Sequence, residues 1–198
     1  FLKKRNAEFA LLHCVSKYPC PPEELQLQTI NFFKERYNIP IGFSDHSIGT
    51  DSALAAVAMG AKIIEKHFSL SRDLWGSDHK VAMTPEELKL MVSEIRNMES
   101  NENKKEEYLN KDIVKEGMGK TIKVLQEGEA KFRPFFRKTL VALTDIPAGS
   151  EINAEMLGAM RPQLHLAGLP SEKYENILGK KTNQAIAKHQ PISLDMIV

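Results

Sequence analysis

Two short apolar stretches of this 198-residue sequence each close on a polar side chain and a histidine. The stretch IGFSDHS carries Ser44 and His46 at its end, and IIEKHF carries Glu65 and His67. Imidazole nitrogens bind divalent metal ions and exchange protons near neutral pH, while hydroxyls and carboxylates orient ligands and bound water. These four positions are therefore the first candidates for chemistry in the chain.

The alternation of a β-strand puts Ser44 with His46 on one face, and Glu65 with His67 on one face. If the two strands are neighbours, about 4.8 Å apart, the two imidazoles can share one metal ion at about 2.1 Å each. Two imidazoles with oxygen ligands and water suit Mn²⁺, Mg²⁺ or Co²⁺ better than a closed zinc site. The alternative is that each histidine caps the end of its strand and hydrogen-bonds a loop.

Two other segments carry polar side chains after apolar runs. SKYPCP places Ser16 and Tyr18 two residues apart, where both can donate hydrogen bonds to an anion or a sugar hydroxyl. The loop LWGSDHK (74–80) offers donors and acceptors that suit a polyol, among them Asp78. The alternatives are a packed turn at Tyr18 and a loop that is polar only for solubility.

Hydrophobic periodicity predicts strands that alternate with helices up to about residue 100. The strands are expected at 9–16, 39–46 and 61–68, and the helices at 22–37, 51–60 and 84–99. This order is typical of an α/β fold with a parallel sheet. A (β/α)8 barrel needs about 250 residues, so three units are roughly three-eighths of one. Because three parallel strands cannot close a barrel, we expect either a small open sheet or a chain that lacks the N-terminal part.

The pattern divides the chain into three parts. Residues 1–100 form the α/β part, and 101–134 are polar, mixed in charge and predicted to be a linker with at most a partial helix. Residues 135–198 predict a small β-rich domain, with a strand at 139–143 and a helix at 170–181. Its size is near the lower limit for a domain that folds alone.

The balance of 27 Lys+Arg against 26 Asp+Glu gives no bulk field that would favour nucleic acid or a membrane surface. No apolar run approaches the roughly 18–20 residues that a membrane-spanning helix needs. Cys14 and Cys20 are the only cysteines, which predicts free thiols and a cytoplasmic protein.

Taken together, HCVSKYPCPPEELQL, IPIGFSDHSIGTDSALAAVAMGAKIIEKHFSL and GSDHKVAM resemble the sialic acid synthase family, which includes synthases of N-acetylneuraminic, legionaminic and pseudaminic acids. The tail, RKTLVALTDIPAGSEINAEMLGAMRP and then LGKKTNQAIAKHQPI, resembles the antifreeze-like SAF domain that ends those enzymes. The resemblance implies the C-terminal three βα units of a TIM barrel, a linker and a SAF domain of the β-clip type. It also implies that five N-terminal βα units are absent, so we expect a C-terminal portion that does not catalyse the full reaction alone.

The resemblance implies a metal-dependent transferase that condenses phosphoenolpyruvate with an N-acetylmannosamine-like sugar, giving a nine-carbon 2-keto acid and phosphate. His46 and His67 match the two protein ligands of the metal ion, expected to be Mn²⁺, with Mg²⁺ or Co²⁺ as alternatives. Glu65 matches a residue that supports the metal's water. The metal would act as a Lewis acid on the aldehyde oxygen of the open-chain sugar.

Substrate contacts follow from the same resemblance. Ser16 and Ser44 match phosphoenolpyruvate contacts, and Tyr18 and Asp78 match positions that contact the sugar and belong to the catalytic set. Arg161 matches an arginine that the SAF domain of one protomer inserts into its partner's active site. The resemblance therefore implies a domain-swapped homodimer.

Two other functions remain open from the sequence. One is a non-catalytic carbohydrate- or ice-binding module, because the last 65 or so residues resemble antifreeze domains; such a module would not need His46, Glu65 and His67. The other is a different phosphoenolpyruvate-condensing barrel without sialic acid specificity. The SAF-like tail argues against the second alternative.

Overall fold

Three parallel strands in the order β1-β2-β3 form the sheet at the centre of the first half of the molecule. In this computed structural model, which describes residues 1–198, the chain divides into two compact units, Phe1–Glu129 and Ala130–Val198. The strands of the first unit are β1 (Leu11–Cys14), β2 (Ile41–Asp45) and β3 (Ile63–Lys66). The predicted α/β class with a parallel sheet is confirmed.

The helices of the first unit lie between and after these strands. They are α1 (Thr29–Arg36), α2 (Asp51–Ala58), α3 (Pro85–Ser100), α4 (Glu102–Leu109) and α5 (Asp112–Gly117), with α6 (Glu127–Phe136) at the boundary between the units. Three short 3-10 helices add Lys3–Arg5, Pro22–Glu24 and Asp78–Lys80. No helix in the structure combines the length and apolar character needed to cross a bilayer.

The central strand β2 is buried along its whole length, and it places Ile41 and Phe43 in the main core of the first unit. Leu27 and Ile30, around the start of α1, pack into the same core. Because all three strands are parallel, their carboxyl ends lie at one edge of the sheet. That edge carries the candidate residues at the ends of β1, β2 and β3 and just beyond them.

Helix α1 begins later than the sequence pattern predicts. The pattern indicates one helix over 22–37, whereas the structure has the 3-10 turn Pro22–Glu24 followed by α1 at Thr29–Arg36. Gln26 separates them because its φ of 51° lies in the left-handed region, which a continuous right-handed helix excludes. The helix α3, in contrast, begins where predicted, with a capping box between Thr84 and Glu87.

The segment predicted as a linker contains three helices. Tyr108 of α4 and Val114 of α5 are buried in the first unit. The backbone N–H groups of Leu27 and Gln28 donate to the carbonyls of Gly117 and Met118, which ties the end of α5 to the start of α1. The sequence predicts a linker here because the stretch is mostly polar, and its few apolar residues, which pack into the core, form no recognisable periodic pattern.

The second unit is built from two interlocked copies of one motif. The segment IPAGSEINAEML (146–157) recurs as IAKHQPISLDMI (186–197), a relation that the sequence pattern alone did not reveal. Ile146 and Ile186 exchange two backbone hydrogen bonds of 2.8 Å in an antiparallel bridge between the two copies. The paired strands are β4 (Thr139–Ala142) and β5 (Leu157–Met160), and the remaining elements are the short helix α7 (Tyr174–Ile177) and four 3-10 turns, Ala154–Met156, Gln163–His165, Ser171–Lys173 and Leu194–Met196.

Several backbone hydrogen bonds of one copy have a counterpart in the other. The Gly149 N–H donates to Thr182 O at 2.8 Å, and its counterpart, the His189 N–H, donates to Ala142 O at 2.7 Å. Both donors have a left-handed backbone, with φ of 78° at Gly149 and 67° at His189. Only the first copy therefore has glycine at this position, the residue type that adopts a left-handed conformation without steric penalty.

Replacing the exposed His189 with glycine is expected to stabilise the second unit by up to about 1 kcal/mol. A non-glycine residue in the left-handed conformation costs roughly 1–2 kcal/mol, and part of the gain from removing this strain is offset because glycine loses more backbone entropy on folding. Thermal unfolding of the second unit should shift upward by a few degrees. Gly149→Ala is the matched control, since an added Cβ there meets no atom within 4 Å. It should lower the transition through backbone strain alone, and a lower transition for His189→Gly would contradict the explanation.

Candidate active site

Ser44 and Glu65 face each other across the last rungs of the parallel sheet. They are register partners on β2 and β3, and the Ser44 hydroxyl donates a hydrogen bond of 2.6 Å to Glu65 Oε1. Ser44 is buried, whereas Glu65 is exposed, so the carboxylate has one side on the protein and one side in solvent. The pair begins the polar surface at the carboxyl edge of the sheet.

The two histidines lie one step further along the same face. The ring centroids of His46 and His67 are 5.3 Å apart, and the rings meet edge to face. His46 Nδ1 lies 2.7 Å from the carbonyl oxygen of Val15, which can only accept, so Nδ1 carries the proton and donates. The Nε2 lone pair of His46 is consequently available to a ligand. The end of β1 therefore fixes both the tautomer and the orientation of this ring.

Tyr18 and Asp78 complete this group of side chains. The Tyr18 ring lies 4.0 Å from the His46 ring and 5.4 Å from the His67 ring, measured between centroids. Asp78 Oδ2 is 3.8 Å from His67 Nδ1, and most of its carboxylate remains exposed. Burial raises the pKa of Tyr18, so its phenol stays protonated and can donate a hydrogen bond.

Ser16 lies at the same edge, at the end of β1, with its side chain exposed. Its backbone N–H donates 2.9 Å to Oε1 of Glu129, a buried carboxylate that also accepts from the Gln126 N–H at 3.0 Å. Lys123 Nζ donates to the Cys14 carbonyl at 2.8 Å. The sequence pattern did not single out Glu129 or Lys123, because they lie in a polar stretch more than a hundred residues beyond the strand that they contact.

The structure thus brings six predicted residues together at the strand ends of the first unit: Tyr18, Ser44, His46, Glu65, His67 and Asp78. Ser16 follows β1 at the same edge. Arg161 belongs to the second unit, where it is exposed directly after β5 and before a cis peptide bond to Pro162. Both cysteines are free, and burial raises the pKa of each thiol, to about 12 for Cys20, so neither is a reactive thiolate near neutral pH.

The histidine pair fits a divalent metal ion as a two-ligand site. A ligating ring nitrogen about 2.1 Å from an ion puts the ring centroid roughly 3.2 Å from it, so two rings on one ion lie within roughly 6.4 Å of each other. The observed 5.3 Å satisfies this limit. No group of three His, Cys, Asp or Glu side chains converges in the chain. Other positions on such an ion would therefore belong to water or substrate, as in an open, catalytic type of site.

The chain thus consists of an α/β unit with a three-stranded parallel sheet, whose carboxyl edge carries polar residues where ligands bind in parallel α/β folds, and a small duplicated β unit. Residues 1–107 match the NeuB family model, and residues 137–198 match the SAF domain model. The chain belongs to the NeuB family. The resemblance to sialic acid synthases is confirmed by its relatives.

One relative is the N,N'-diacetyllegionaminic acid synthase of Campylobacter jejuni, 35% identical over 90% of this chain and 47% of that protein. Another is the N-acetylneuraminate-9-phosphate synthase of Mus musculus, 33% identical over 91% of this chain and 45% of that protein. The crystal structure of the spore coat polysaccharide biosynthesis protein SpsE from Bacillus subtilis superposes with a TM-score of 0.79 and 31% identity, over 100% of this chain and 55% of SpsE. The chain therefore spans about half the length of the curated relatives that it matches.

Proposed function

We propose that this chain supplies half of the active site of a sialic acid-type synthase, which condenses phosphoenolpyruvate with an acetamido sugar to a nine-carbon 2-keto acid and phosphate. The observation that carries the proposal is the His46–His67 pair beside the Ser44–Glu65 hydrogen bond, in a chain of the NeuB family. A carbohydrate-binding module would gain nothing from two imidazoles held at this separation.

His46 and His67 would hold a divalent ion, with Mn²⁺ first and Mg²⁺ or Co²⁺ as alternatives. When bound, the ion supplies Lewis-acid polarisation of the sugar aldehyde. The remaining contributions come from the protein. His46 is held by the Val15 carbonyl, and His67 has the Asp78 carboxylate beside Nδ1, so both rings can keep their orientation while substrates exchange.

Ser16 and Ser44 are proposed to bind phosphoenolpyruvate, since hydroxyl donors suit its carboxylate and phosphate. A serine hydroxyl has one proton, which Ser44 gives to Glu65 in this structure. When Ser44 donates to the substrate instead, Glu65 is released to accept a proton from water. Addition of that water at C2 of phosphoenolpyruvate, after C3 has bonded to the aldehyde carbon, leads to C–O cleavage and loss of phosphate.

Tyr18 and Asp78 are proposed to hold the sugar, with the protonated phenol as donor and the carboxylate as acceptor for hydroxyls. Arg161 is proposed to enter the site of a second copy, because its exposed guanidinium offers a fixed set of donors to a sugar oxygen. The active assembly is accordingly proposed to be a domain-swapped homodimer.

The test is an assay of the protein expressed from its complete reading frame, with phosphoenolpyruvate, Mn²⁺ and a panel of acetamido sugars. We expect phosphate release with at least one sugar, in equimolar amount with the 2-keto acid, and loss of release after chelation of the metal. Omission of the sugar controls for simple hydrolysis of phosphoenolpyruvate. No turnover with any acetamido sugar would contradict the proposed synthase.

A further inference from the structure

A fully buried ion pair lies directly behind the candidate site, on the opposite face of the same two strands. Lys66 Nζ is 2.8 Å from Asp45 Oδ2, and the two side chains are 2% and 0% exposed. Asp45 stands between Ser44 and His46, and Lys66 between Glu65 and His67. The proposed function assigns these two residues no role, although they alternate with its main side chains.

The pair also binds the backbone that follows His46. Lys66 Nζ donates 2.6 Å to the Ser47 carbonyl, and the Ser47 N–H donates 2.8 Å to Asp45 Oδ1. The Ser47 hydroxyl in turn donates to Ser52 Oγ in α2 at 3.1 Å. The backbone is therefore held immediately after His46, and the same lysine is the neighbour of His67.

Stability does not explain why a pair of charges occupies this position. Removing two charges from water is costly, and well-packed apolar residues in place of a buried pair are often at least as stable. A charged pair differs from an apolar pair because its hydrogen bonds are directional. They are satisfied in only one arrangement of the two strands. Asp45 and Lys66 are register partners, so a shift of β3 by one residue would separate the charges and turn His67 to the opposite face.

We propose that Asp45 and Lys66 are positioning residues, which fix the register of β2 and β3 and the path of the loop after His46 so that both imidazoles face one ligand. This inference rests on the proposed function for the identity of that ligand, a divalent cation. The geometry of the two rings, however, is measurable without any ligand.

The experiment compares variants of the complete protein. Asp45→Leu combined with Lys66→Met removes both charges at similar volume and leaves no charge buried alone. We expect this double variant to fold but to melt earlier than the wild type, because the Ser47 N–H and carbonyl lose their partners. We also expect it to bind Mn²⁺ about 10- to 100-fold more weakly, the range for residues that orient metal ligands. Titration calorimetry measures the affinity, and ring NMR signals of His46 and His67 report their positions in metal-free protein.

Two further variants serve as controls. Lys104→Met with Glu107→Leu removes an ion pair within α4, with Nζ 2.7 Å from Oε2, that shares no residue with β2, β3 or the segments that follow them, and it should leave Mn²⁺ affinity unchanged. Lys66→Arg keeps the charge and should bind Mn²⁺ more tightly than the double variant. Wild-type affinity and ring signals in the double variant would overturn the inference. If the wild type itself binds no Mn²⁺, the proposed function fails, and the ring signals alone decide whether the pair positions the histidines.

Discussion

Replacing His46 with alanine in the complete protein is expected to lower kcat/KM for condensation by about 10³-fold, because polarisation of a carbonyl by a metal ion contributes several kcal/mol to the transition state. The same change should weaken Mn²⁺ binding, since one of two protein nitrogens is lost. His67→Ala is expected to act in the same way. Initial rates of phosphate release and Mn²⁺ titration measure the two effects.

A matched control is available in the second unit. His189→Gly removes an exposed imidazole that belongs to a turn of the duplicated motif, so it should leave Mn²⁺ affinity and kcat/KM unchanged. Equal losses for His46→Ala and His189→Gly would point to a non-specific effect of histidine removal. Full activity in both His46→Ala and His67→Ala would remove the histidine pair from the mechanism.

The first unit is expected to lose roughly 3 kcal/mol of its free energy of unfolding between pH 6.5 and pH 4, because of His13. This ring is 1% exposed on β1; its Nε2 donates 2.7 Å to the Leu25 carbonyl, and its Nδ1 has no hydrogen-bond partner. Burial lowers the pKa of His13 from 6.5 to about 4. In this range the unfolded chain binds a proton that the folded chain does not, so stability is complete above pH 6.5 and falls on acidification.

Denaturant unfolding followed by circular dichroism at several pH values between 7.5 and 4 measures this loss. His13→Gln provides the comparison, since its amide can still donate to the Leu25 carbonyl but does not titrate. The variant should be less stable at pH 7.5, because the His13 ring packs against Phe33 and Phe43, yet its stability should depend less on pH. Parallel pH profiles for the two proteins would exclude His13 as the titrating group.

The grouping of side chains at the strand ends could be predicted from the sequence, because it depends only on residues that are neighbours along the chain. Alternation along β2 and β3 places Ser44 with His46 and Glu65 with His67 on one face whatever the rest of the chain does. The contact between Ser16 and Glu129 could not be predicted, because it joins a residue just after β1 to a residue of α6 that is more than a hundred positions later in the sequence. The interruption of the predicted helix at Gln26 could not be predicted either, since one left-handed residue ends a helix without changing the spacing of the apolar residues.

The duplicated motif of the second unit has a consequence for how that unit folds. Ile146 and Ile186 bond to each other, and each copy also takes backbone partners from the residues just before the other copy, Gly149 from Thr182 and His189 from Ala142. Neither copy can complete a hydrogen-bonded ladder in isolation, so the two must order in one step. A cut in the connection between them would leave two peptides that still complement each other, and reassociation of such fragments would reproduce the intact unit as a non-covalent pair.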